Sequence, residues 1–155
     1  MALFSQPLKW DQGLLSKYDL AGPRYTSYPT APQFHENFSA EDFHTAVLRS
    51  NHSARPLSLY IHIPFCESLC FYCGCNKIVT GNKSRALIYL QYLEKEMAFN
   101  SELFDNNRVV TQLHWGGGTP TFISDDEMSW LMKITRQHYQ LLDDDQGEYL
   151  SLIHI

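Results

Sequence analysis

Cys66, Cys70 and Cys73 are separated by three and then two residues, directly after the run Leu57–Ile63. A loop this tight gathers three thiolates, which suits an iron–sulfur cluster. Such clusters commonly take four cysteines, so three leave one iron without a protein ligand, where a small molecule can bind and react. Structural zinc is the competing reading. Zinc sites usually pair two CxxC or CxxH knuckles a dozen or more residues apart, and no second knuckle lies downstream. Cys75 follows closely and is either a further ligand or a neighbour of the site. A second candidate is Gly116-Gly117-Gly118, followed by Thr119 and Pro120. Glycines after a strand permit positive φ and let the backbone approach a ligand; a tight strand-to-helix turn is the plainer alternative.

Both stretches follow segments that read as strands. Leu57, Leu59, Ile61 and Ile63 alternate with Ser58, Tyr60 and His62, and Pro64 closes the run; the period of two predicts a strand. Tyr60 and His62 share the polar face, which in a barrel would point inward; His62 reads as a hydrogen-bonded structural histidine. Residues 109–115 alternate in the same way. Residues 84–99 carry Leu87, Leu90, Leu93 and Met97 at helical spacing. Ser39 with Asp42, and Ser124 with Glu127, predict two further helix starts. The first helix would bury Phe43, Ala46 and Val47, and the second Met128, Leu131, Met132 and Thr135. Pro23, Pro29 and Pro32 predict an extended arm over residues 1–38. The resulting order of strand, loop, helix, strand, loop, helix predicts an α/β fold with parallel strands. Both chemically interesting loops fall at the C-terminal strand ends, where such folds bind ligands.

The chain has 155 residues, 44% of them hydrophobic, enough for one domain with a core. Its net charge of −5 and lack of a Lys/Arg cluster argue against nucleic acid as partner. The opening MALFSQPLKW lacks the features of a signal peptide, and no stretch has the length of a membrane span. With all four cysteines between Cys66 and Cys75, the expectation is a cytoplasmic protein using them for metal rather than disulfides.

The stretch YIHIPFCESLCFYCGCNK resembles the radical S-adenosyl-L-methionine (SAM) enzymes, and within them the oxygen-independent coproporphyrinogen III oxidases. The likeness extends to Trp115-Gly116-Gly117-Gly118-Thr119-Pro120 and to the arm Gly22-Pro23-Arg24-Tyr25-Thr26-Ser27-Tyr28-Pro29-Thr30. It implies the N-terminal part of a partial (β/α) radical-SAM barrel. Cys66, Cys70 and Cys73 would hold a [4Fe–4S] cluster, with SAM on the fourth iron and Cys75 a nearby non-ligand. Tyr60, Tyr72, Gly117, Gly118 and Thr119 would contact SAM, of which the family binds two molecules. Arg24 would meet a propionate of coproporphyrinogen III, since a guanidinium matches a carboxylate; Tyr25 and Tyr28 are weaker candidates. The implied reaction is oxidative decarboxylation to protoporphyrinogen IX in haem biosynthesis, through a deoxyadenosyl radical that takes hydrogen from the propionate β-carbon. The electron donor and acceptor are left unnamed by the resemblance, and the full-length enzyme is expected to be a monomer. A haem-binding chaperone of the same superfamily is the alternative; those relatives usually carry Asp-Phe where this chain has Gly74-Cys75.

Three segments are expected: an arm and short helix at 1–56, the first βα units at 57–149, and an atypical tail at 150–155. A complete barrel needs roughly 250 residues. The family continues past Tyr149 with an acidic strand, where this chain has Leu150-Ser151-Leu152-Ile153-His154-Ile155. The expectation is therefore an inactive fragment of the enzyme, with an artefactual end.

Overall fold

A computed structural model of the chain describes residues 10–19, 33–71, 73–144 and 146–151. The chain divides into two compact units, Met1–Phe38 and Ser39–Ile155. In the first, part of the stretch expected to be extended is helical: α1 spans Gln12–Tyr18, and the Asp11 carboxylate caps it by accepting from the Leu14 N–H at 2.9 Å. The prolines restrict their own neighbourhood, and α1 ends before the first of them. Arg24, Tyr25 and Tyr28 lie outside the described residues.

The second unit opens with α2, Ala40–His52, at the expected capping box. The Ser39 hydroxyl accepts from the Asp42 N–H, and the Asp42 carboxylate from the Ser39 N–H. Of its apolar stripe only Val47 is buried; Phe43 is exposed. Strand β1, Leu57–Ile63, then pairs in parallel with β4, Val109–Gly117, so that Tyr60 lies beside His114 and Ile63 beside Gly117. Between them, β2 (Phe65–Cys66) pairs with β3 (Ile78–Val79), and α3 runs over Ser84–Ser101. After β4 comes a 3-10 turn at Pro120–Phe122, then α4, Asp125–His138, capped by Ser124 and Glu127 as expected.

One core joins the apolar face of the sheet to the helices. Ile61, Ile63, Val110 and Leu113 pack with Ala86, Leu90, Leu93 and Met97 of α3 and with Leu131 and Ile134 of α4. The helix faces are turned slightly from the expected ones: Leu87 is exposed, while Ala86 and Ile134 are buried. Buried Arg108 joins the start of β4 to the end of α2, donating to Arg55 O, Ser50 Oγ and Asn51 Oδ1 at 2.8, 2.9 and 3.1 Å. The carboxyl end of a helix also favours a cation.

Two short strands complete the sheet. β5 (Gln140–Leu141) pairs with Val109–Val110, and β6 (Glu148–Ser151) with Gln112–Trp115. They share the edge of β4 opposite β1 and act as one interrupted strand. Leu150 and Ser151, from the stretch read as an atypical tail, continue this ladder beside His114 and Trp115; residues 152–155 lie outside the described set. Among the described residues no helix is long and apolar enough to cross a membrane.

Candidate cofactor site at the cysteine loop

The loop is closed at its base by backbone pairing. Besides the β2–β3 ladder, the Ile78 N–H donates to Pro64 O at 2.7 Å and the Thr80 N–H to Cys66 O at 2.9 Å. The glycine run lies against this base. The Gly118 N–H donates to Ile63 O and the Thr119 N–H to Phe65 O, each at 2.8 Å, and the Thr119 hydroxyl to Cys66 Sγ at 3.6 Å. A Cβ at Gly118 would stand 2.5 Å from Phe65 O and 2.9 Å from Cys66 Sγ. Contact this close admits only glycine, so the run and the loop are built as one piece.

All four cysteines, Lys77, Gly117 and Gly118 line a cavity of about 140 Å³ at the C-terminal strand ends. Cys66 is buried, Cys70 and Cys73 half-buried, Cys75 exposed. A larger cavity of about 550 Å³ lies at the opposite ends of the strands, beside Leu57, Arg108 and Gln140, away from the thiols. Zinc bound tetrahedrally at 2.3 Å would draw sulfurs to about 3.8 Å from one another. Among the described residues no three Cys, His, Asp or Glu side chains are gathered to hold one metal ion. A four-iron cluster gives each thiolate its own iron. Three thiols lining one cavity are the donor type that an iron–sulfur cluster takes.

The polar face of β1 ties into the same loop. His62 Nε2 lies 2.8 Å from Asn76 O, and His62 Nδ1 lies 3.2 Å from the Tyr60 hydroxyl. A carbonyl only accepts, so Nε2 carries the proton and Nδ1 accepts from Tyr60. Desolvation, then the nearby Cys75 thiol, pushes the Tyr60 phenol up, which keeps it a donor. Desolvation likewise pushes the Cys75 thiol up, followed by Cys73 and Cys66, with Lys77 opposing. Two glycines make room for these rings: a Cβ at Gly116 would meet the Tyr60 ring at 2.8 Å, and at Gly117, with φ of 103°, the His62 ring at 2.6 Å. His62→Leu would leave Asn76 O and the Tyr60 hydroxyl without this partner, at a cost of about 1–2 kcal/mol. Amide exchange across residues 74–78 should then accelerate ahead of the rest of the sheet. Unchanged exchange there would contradict the clamp.

Sequence reasoning missed a second brace. Lys83 Nζ pairs with Glu67 Oε1 at 2.7 Å, donates to Phe122 O at 2.8 Å and lies 3.9 Å from the Phe122 ring centroid. Phe122 stacks on Phe65, which precedes Cys66. The hydrogen bond from Lys83, then its charge, holds the Glu67 carboxyl below its usual range. An exposed ion pair contributes little stability; its consequence is to orient the loop between the first two cysteines. The Glu67–Lys83 separation follows no helical or strand spacing, so nothing in the sequence marks it.

The structure thus brings Cys66, Cys70, Cys73, Gly117 and Gly118 to one cavity, with Thr119 on Cys66 and Tyr60 one hydrogen bond from the histidine that clamps Asn76. Tyr72 lies outside the described residues, as does Arg24.

No family model matches the chain. It is similar to a protein of Mannheimia haemolytica named oxygen-independent coproporphyrinogen III oxidase, 51% identical over 135 residues, which are 87% of this chain and 90% of that one. Proteins of the same name from Pseudomonas aeruginosa and Escherichia coli are 49% and 52% identical over 92% and 87% of this chain. The chain spans only 31% and 29% of their length. Among solved structures it is similar to the coproporphyrinogen III oxidase of Escherichia coli, described as a radical SAM enzyme. The TM-score is 0.80 at 45% identity, over 96% of this chain and 31% of that one.

Proposed function

The chain belongs to the oxygen-independent coproporphyrinogen III oxidase family, and from that premise we propose that it serves the oxidative decarboxylation of coproporphyrinogen III to protoporphyrinogen IX, in the cytoplasm and without oxygen. The observation that carries this reading is the shared cavity of Cys66, Cys70 and Cys73 with Gly117 and Gly118 at the C-terminal ends of parallel strands.

In this reading the three cysteines hold a [4Fe–4S] cluster by one iron each. Once bound, cluster and SAM supply one-electron radical chemistry that amino-acid side chains lack. The chain's own residues bind and orient. Gly117 and Gly118 offer SAM a backbone surface without side chains, and Thr119 holds Cys66 through its hydroxyl. Tyr60, hydrogen-bonded to His62, and Tyr72 contact SAM in this reading. Arg24 receives a propionate of the porphyrinogen. A second SAM, an electron donor and an acceptor complete the set of partners.

The test is anaerobic and uses protein extended to the length of its longer relatives, reconstituted with iron and sulfide and given dithionite, SAM and coproporphyrinogen III, with products followed by chromatography. Methionine and 5′-deoxyadenosine formed together with protoporphyrinogen would support the proposal. An iron-loaded, full-length protein that cleaves no SAM would oppose it.

A further inference from the structure

Lys77 stands apart from the other cations around the loop. Lys83 is engaged by Glu67 and Phe122, whereas among the described residues no carboxylate pairs with Lys77, although it is half-buried. It lines the cavity together with the four cysteines. Its place is fixed from both sides. The preceding carbonyl, Asn76 O, receives His62 Nε2–H at 2.8 Å, and the following N–H, of Ile78, donates to Pro64 O at 2.7 Å. A half-buried lysine with no carboxylate partner among the described residues, on backbone pinned at both neighbours, is set up to meet an anion. The remaining lining is the four cysteines, Ser68, Leu69 and glycines, with no acidic residue.

The geometry points to Lys77 as an electrostatic positioning residue that favours the reduced, more negative form of the cluster held by Cys66, Cys70 and Cys73. This rests on the reading of the cysteine loop as a cluster site. Three thiolates leave the assembly anionic, and one added electron makes it more so; a fixed cation nearby therefore stabilises the reduced state more than the oxidised one.

The test compares the reconstituted wild-type chain with Lys77→Met, Lys77→Gln and Lys77→Arg by dithionite titration followed by EPR, with iron counted in each sample. At a fixed poise, the ratio of reduced to oxidised cluster should fall about ten-fold in the Met and Gln variants, a midpoint about 59 mV more negative. The Arg variant, which keeps the charge, should stay within about two-fold of wild type. Met and Gln variants that cannot hold the cluster while the Arg variant does would overturn the inference, because the charge would then serve cluster retention and not the redox balance. Equal midpoints in all four loaded proteins would overturn the inference, as would an Arg variant shifted as far as the Met variant. A wild-type chain that takes up no iron would instead overturn the cluster reading beneath it.

Discussion

Gly118→Ala will destabilise the chain by about 3 kcal/mol, and Tm should fall by about 10 °C. The added Cβ would meet Phe65 O at 2.5 Å, the Pro64 carbonyl carbon at 2.8 Å and Cys66 Sγ at 2.9 Å. Two of these are backbone atoms and cannot rotate aside. Relief requires the end of β4 to separate from the loop base, breaking the hydrogen bonds from Gly118 N–H to Ile63 O and from Thr119 N–H to Phe65 O. Gly81→Ala is the control: its Cβ would meet nothing within 4 Å, and stability should stay within about 0.5 kcal/mol. Equal thermal shifts for the two variants would refute the close packing of glycine run and cysteine loop.

Cys66→Ala, Cys70→Ala and Cys73→Ala should each reduce iron, after anaerobic reconstitution and desalting, from about four per chain to less than about one. Cys75→Ala should retain nearly the full complement. The four cysteines line one cavity, but their burial differs: Cys66, at the end of β2, is buried, and Cys75 is exposed. The ligand set proposed here is the first three. Iron lost equally from the Cys75 variant would make it a fourth ligand and close the open corner that the mechanism requires.

Much of the frame was legible because local signals agreed with the fold. The alternation from Leu57 to Ile63 gave the strand with its bounds, and Ser39/Asp42 and Ser124/Glu127 marked helix starts where capping boxes stand. What escaped were features carrying no periodic signal. β2 and β3 have two residues each, too few to show a period, yet they close the cysteine loop. β5 and β6 are short and flank an acidic link, and what makes them strands is the free edge of β4. α1 was obscured by prolines that come after it. At the site, types and spacing identified the thiols and glycines, and the expectation of a hydrogen-bonded His62 agrees with its two partners. Asn76 as one of those partners, the Lys83 brace and the place of Lys77 in the cavity depend on how the loop folds back, which spacing does not encode.

The central claim is that three thiolates hold a cluster with one iron left for SAM. EPR of the reduced, reconstituted chain with and without SAM tests it most directly. The account predicts a [4Fe–4S] signal whose g values change on adding SAM, in protein carrying about four irons and four sulfides per chain. A signal indifferent to SAM, or a chain that takes up one zinc ion in place of iron, would contradict it.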